Sequence, residues 1–225
     1  MRIHLPLVLL LLIGCKGGDD RERAAPAPPA AVDHRPAVVF LGDSLTAGLG
    51  LPLAQAVPAR VAARIDRAGL PLRVINAGRS GDTSAGGLAR LGWYLRAEVG
   101  LGALIVNLGS NDAIRGLPIA ELEKNLTAIV TRAKAAVPSA PVFLVQLETF
   151  PNLGADYADA YRAVFPRVAK ATGAIPLPIP LRDLVLEAGL VQADGVHPTA
   201  AGADRIADAM WTTLEPVLRR VAAHP

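Results

Sequence analysis

A single cysteine in 225 residues excludes an internal disulfide framework. Charge of one sign is equally scarce. The 23 basic and 20 acidic residues leave a formal +3, with no Lys/Arg run to follow a phosphate backbone, so no nucleic acid is expected as a partner. The longest apolar stretch, Leu5 to Ile13, is too short for a stable bilayer-spanning helix. Aromatics make up only 4%, so bulky pocket walls are scarce, and there is no internal repeat. What is abundant is apolar: at 52% apolar and 19% charged, global disorder is excluded, and the length suits one sizeable domain plus an appendage.

The appendage is the amino-terminal segment. Arg2 followed by the apolar run has the layout of a secretory signal. It closes on Leu12-Ile13-Gly14-Cys15, which resembles the bacterial lipobox, where the cysteine thiol is lipidated after cleavage. The resemblance implies a signal peptide over 1–14 and several acyl chains on Cys15, enough for stable membrane attachment. Lys16 rather than Asp after the cysteine favours, by analogy with enterobacterial sorting, an outer-membrane location facing the periplasm. Residues 15–36 are charged and then Ala/Pro-rich, without apolar periodicity, and read as a disordered tether.

From Ala37 onward, β-rich apolar runs alternate with helical patterns. The runs Ala37–Leu41, Leu72–Asn76, Ala103–Asn107, Val142–Gln146 and a weaker Ile175–Leu177 lack polar alternation, as strands buried on both faces do. Between them, Leu88, Leu91 and Leu95 share a helical face. So do Ile119, Leu122, Leu126, Ile129, Ala133 and Val137, and after Pro198 Ile206, Met210, Leu214, Val217 and Val221. Pro58 suits a first helical turn, whereas Pro166 predicts a kink or break. The alternation implies an α/β fold with a doubly wound, mostly parallel sheet. Such sheets bind ligands beyond the carboxyl ends of their strands.

Those ends are unusually polar. They carry Gly42-Asp43-Ser44-Leu45, then Asn76-Ala77-Gly78-Arg79-Ser80-Gly81-Asp82-Thr83, then Gly109-Ser110-Asn111-Asp112. Asp194-Gly195-Val196-His197-Pro198 precedes the last helix. A serine nucleophile needs an adjacent base. The folded region holds two histidines, and His224 is next to last, so His197 is selected almost by elimination. Asp194, three residues earlier, can accept its Nδ1–H. With strand order 2-1-3, the backbone N–H groups of Ser44 and Gly78 and the Asn111 side-chain amide can face one point, as an oxyanion hole requires. Glycine at 78 would also let substrate approach the backbone. A metal held by Asp43, Asp112, Asp194 and His197 has poor ligand spacing.

These blocks, with Gly87-Leu88-Ala89-Arg90-Leu91 and Asn111 to Gly116, resemble the SGNH (GDSL) hydrolases over Ala37 to about Val217, in their thioesterase/lysophospholipase/arylesterase branch. The resemblance implies a flavodoxin-like three-layer α/β/α domain over 37–225 with a five-stranded parallel sheet. It also implies Ser44 as nucleophile, Asp194 and His197 completing the triad, Gly78 and Asn111 in the oxyanion hole, and no metal or organic cofactor. Arg79 and Arg115 flank the site as candidates for an anionic head group, and Asp112 either orients Asn111, caps a helix or touches substrate. Two departures stand out. Ser110 replaces a common Gly or Ala, and the acyl-pocket loop of relatives appears as Phe150-Pro151-Asn152-Leu153-Gly154, with Pro151 a candidate substrate contact. The expected activity is hydrolysis of carboxylic esters or thioesters of broad acyl specificity, including lysophospholipids and aryl esters. The alternatives are a carbohydrate O-acetyl esterase of the cell envelope and a non-enzymatic envelope lipoprotein.

Overall fold

The computed structural model describes residues 33–148 and 153–224. The expected signal peptide, Cys15, nearly all of the tether and Pro151 lie outside the described residues. Five strands form one parallel sheet in the order β2-β1-β3-β4-β5. They are β1 (Ala37–Gly42), β2 (Arg73–Gly78), β3 (Leu101–Asn107), β4 (Val142–Gln146) and β5 (Ile175–Pro178). Each expected apolar run is a strand, extended at the ends by one or two residues in most cases. β1 and β3 are buried at every position, which is why their sequence shows no alternation. Each Val, Leu, Ile or Phe buried there contributes about 1.5–3 kcal/mol. The edges differ. β2 is mostly half-exposed, and β5 carries Pro176 and Pro178, which an edge strand tolerates because one side has no ladder to join.

The helices are α1 (Ser44–Ala47), α2 (Val57–Arg67), α3 (Ser84–Arg90), α4 (Ser110–Ile114), α5 (Ile119–Ala136), α6 (Ala155–Thr172), α7 (Leu181–Leu186) and α8 (Ala200–Ala223). The connection β1-α2-β2 runs one way along the sheet and all later ones run the other way. Right-handed crossovers therefore put α2 on the face opposite α3, α5 and α6. α8 packs on α2, where the buried Arg64 donates to the Asp204 and Asp208 carboxylates and to two backbone carbonyls. A lone buried guanidinium would be costly, and these acceptors offset that cost.

Two expectations change. α6 continues through Pro166 without a break, because Pro166 lies on the exposed side, where a freed carbonyl can be hydrated. The domain also starts slightly before Ala37. The Arg73 backbone N–H donates to Pro36 O at 3.0 Å, and its Nε donates to Arg35 O at 2.9 Å.

Candidate active site

The strand order reverses at β1, and the polar blocks converge there, at the carboxyl end of the sheet. Asp43 leaves β1 and caps α1, its Oδ1 accepting the Leu45 N–H at 3.0 Å. Ser44 is the first residue of that short helix. Its Oγ lies 2.8 Å from His197 Nε2, and His197 Nδ1 lies 2.6 Å from Asp194 Oδ2. Asp194 Oδ1 accepts the backbone N–H groups of Val196 (2.9 Å) and His197 (3.0 Å). Those two N–H groups, His197's first, and then the His197 ring hold the Asp194 carboxyl down at about 2. A charged Asp194 only accepts, so Nδ1 carries the ring proton and Nε2 is left to take the proton of Ser44.

Asp43 is fully buried beside this chain. Burial pushes its carboxyl up to about 6, against the Leu45 N–H, the charge of His197 and the Ser110 hydroxyl, which pull it down. Its Oδ2 lies 3.4 Å from Asn111 Nδ2, which also donates to Asp82 O at 3.0 Å. Asn111 therefore sits between the nucleophile's neighbour and the loop after β2, with the hydrogen on its long 3.4 Å contact to Asp43 the more weakly held of the two.

Gly78 does not fit the role expected of it. Its N–H donates to Asn76 Oδ1 at 2.9 Å. A Cβ at position 78 would stand 2.2 Å from Ala47 N, so glycine is required there by the close approach of α1 to β2 and not by substrate. Three residues on, Gly81 holds φ at +84°, and its N–H makes no hydrogen bond among the described residues. The Ser44 N–H is likewise free of any protein acceptor among those residues.

The loop carrying Gly81 is gripped from several sides. Arg115 Nη2 donates to Gly81 O at 2.8 Å. Asp112 is buried and accepts from the Ser84 N–H (2.8 Å) and hydroxyl (2.5 Å), so it fixes the start of α3 and is not placed to touch substrate. Asn125 completes that network by donating to Ser84 Oγ. Arg79 is exposed, its guanidinium 3.8 Å from Asp82. Arg90, to which the sequence reading gave no role, donates to Asp82 Oδ2 (2.6 Å), Ala77 O (2.7 Å) and Gly42 O (2.8 Å). One guanidinium thus ties the ends of β1 and β2 to the loop. A lone arginine in a helical pattern carries no signal for such distant acceptors. Gly81 had a weak one, a glycine inside a polar strand-end block. Among the described residues, no three His, Cys, Asp or Glu side chains come together as a metal-ligand set.

Residues 40–205 match the GDSL-like Lipase/Acylhydrolase family. The chain is similar to the esterase TesA of Pseudomonas aeruginosa, 38% identical over 80% of this chain and 89% of that one. It is similar also to thioesterase 1/protease 1/lysophospholipase L1 of Escherichia coli, 34% identical over 96% and 94% of the two chains. Among solved structures, a crystal structure of TesA superposes with a TM-score of 0.76, at 38% identity over 80% of this chain and 99% of that one. The esterase EstA of Pseudoalteromonas sp., inhibited by monoethylphosphonate, also gives a TM-score of 0.76, at 29% identity over 81% and 98% of the chains. The chain belongs to the GDSL-like Lipase/Acylhydrolase family.

Proposed function

We propose that the chain is a serine ester hydrolase working through an acyl-enzyme on Ser44. The observation that carries the proposal is the continuous contact from Ser44 Oγ through His197 to Asp194, at 2.8 and 2.6 Å. In the first half-reaction the Ser44 proton passes to His197 Nε2 as Oγ bonds to the ester carbonyl carbon. The Ser44 and Gly81 N–H groups and the Asn111 amide stabilise the oxyanion, and Asp194 stabilises the imidazolium. The imidazolium protonates the leaving alkoxide or thiolate as its bond to carbon breaks. In the second half-reaction His197 takes a proton from water, whose oxygen attacks the acyl carbon. The proton then returns to Ser44 Oγ and the carboxylic acid departs.

The finer reading is breadth of acyl group, with aryl esters, short acyl esters and lysophospholipids as substrates. Its support is the relatives, among them an arylesterase of Vibrio mimicus, 30% identical over 72% of this chain and 79% of that one. Arg115 bonds to the loop of Gly81 and Arg79 stands exposed beside it, which leaves Arg79 the freer of the two for an anionic head group. A series of acyl esters of rising chain length, assayed beside acetylated sugars, tests this reading. Turnover of several chain lengths at comparable kcat/KM is expected. Turnover confined to the acetylated sugars would assign the enzyme to carbohydrate deacetylation instead.

The location is proposed on the sequence alone: a lipid anchor on Cys15 holding the domain at the outer membrane, facing the periplasm. No helix among the described residues is long and apolar enough to cross a membrane. Replacing Cys15 with Ser is expected to move the protein from the membrane fraction to soluble or unprocessed material. Continued labelling by radioactive palmitate would refute the anchor.

A further inference from the structure

The base and the nucleophile stand on loops 153 residues apart, and something must hold them in register. The His197 loop is a narrow hairpin. Val191 pairs with Pro198 in an antiparallel bridge, the Gln192 N–H donates to His197 O at 2.7 Å, and the Thr199 N–H donates to Leu190 O at 2.9 Å. The Gln192 side chain leaves this hairpin at the level of His197. Its Nε2 donates to Pro198 O at 2.9 Å within the hairpin and to Leu49 O at 2.8 Å in the segment that follows α1. Apart from the Ser44–His197 contact itself, the bond to Leu49 is the only hydrogen bond joining the two loops among the described residues. The seat is tight, since a Cβ at Gly50 would fall 2.2 Å from Gln192 Oε1.

We propose that Gln192 is a positioning residue of ester hydrolysis, its amide bracketing the His197 hairpin to the nucleophile segment so that Nε2 stays within reach of Ser44 Oγ. This rests on the triad assigned above. Gln192 touches neither substrate nor the reacting atoms. It acts on the chemical step by setting a distance, because misplacement of a reacting group by about 1 Å can cost on the order of a hundredfold in rate. Both amide hydrogens are spent on carbonyl oxygens of the two loops, so an unbranched side chain of similar length without donors loses the bracket while still filling the space.

Two variants of the full chain test this, Gln192→Met and Gln192→Glu. The second keeps the length and shape of the side chain but sets a carboxylate, which has no donors, against the Leu49 and Pro198 carbonyls. Each is assayed on p-nitrophenyl butyrate and titrated with a fluorophosphonate that labels Ser44. The expected result is complete labelling at a slowed rate, with kcat down about tenfold or more and KM within about twofold. A merely structural role predicts the opposite pattern, fewer labelled sites with unchanged kcat per site, and that outcome or a kcat within about twofold of the parent would overturn the proposal. Should Gln192→Met fail to fold, Gln192→Glu decides by the same criteria. Ser44→Ala run alongside separates the two readings. Full activity in Ser44→Ala overturns the triad, whereas an inactive Ser44→Ala beside a fully active Gln192→Met overturns the bracket alone.

Discussion

Exchanging Ser44 for alanine is expected to lower turnover of p-nitrophenyl butyrate by on the order of 10³- to 10⁶-fold, with the fold retained. The change deletes one oxygen, whose recorded bond is to His197. The Ser44 N–H, Asn111 and the Gly81 loop remain, so the variant keeps an oxyanion site and a base without anything for the base to activate. Residual activity would come from water attacking a polarised ester. The side chain is only half-buried and α1 is capped by Asp43, so unfolding stability should stay within about 1 kcal/mol of the parent. Steady-state kinetics beside a thermal melt checks both halves. An unchanged rate would remove Ser44 as nucleophile.

Asp194→Asn is expected to cost about 10³- to 10⁴-fold in kcat/KM. Asp194 accepts three hydrogen bonds, two from backbone N–H groups at one oxygen and one from the imidazole at the other. An amide cannot satisfy both sides. Turned one way, its NH2 faces His197 Nδ1, which must give up its proton, so Nε2 carries a hydrogen and can no longer accept from Ser44. Turned the other way, the NH2 faces the Val196 and His197 N–H groups, donor against donor. The charge matters as well. Because the carboxyl is held at about 2, it stays ionised through the whole range in which an esterase is assayed, and no acid limb of the rate profile belongs to it. A depressed value also means that the folded state binds this proton more weakly than the unfolded one. Its stabilising contribution is therefore complete above the ordinary carboxylate value of 3.8 and fades as pH falls towards about 2; the amide lacks it at every pH. Rates from pH 5 to 9 for both proteins decide the matter. A variant within tenfold of the parent would take Asp194 out of the relay.

The strands were legible because β1, β3 and β4 are buried on both faces, which writes a continuous apolar run into the sequence. Ser44, Asp194 and His197 were legible because histidine is scarce and because the Asp-Gly-x-His spacing is local. The oxyanion loop was harder. Gly78 and Gly81 are both glycines in one polar block, and sequence distinguishes neither the close approach of Ala47 to the first nor the backbone angle of the second. Asp112 was legible as a helix cap, but the helix that it holds was not. Its neighbour in sequence is Asn111, but its partner in space is Ser84, 28 residues earlier. Gln192 acts only on backbone carbonyls, which every residue has, and Arg90 adds one carboxylate, Asp82, to two such carbonyls, so pairing by residue type revealed neither role.

The distance in sequence between Ser44 and His197 has a consequence for synthesis. At about 5–20 residues per second, the base leaves the ribosome roughly 8–30 s after the nucleophile. β1, the strand that aims Ser44, is made before either of its neighbours, and the segment carrying Asp194 and His197 follows all five strands. Until then the nascent chain carries an unactivated serine. Hydrolytic competence is switched on by chain closure, so activity counts only molecules in which the end of the first strand and the His197 hairpin have met.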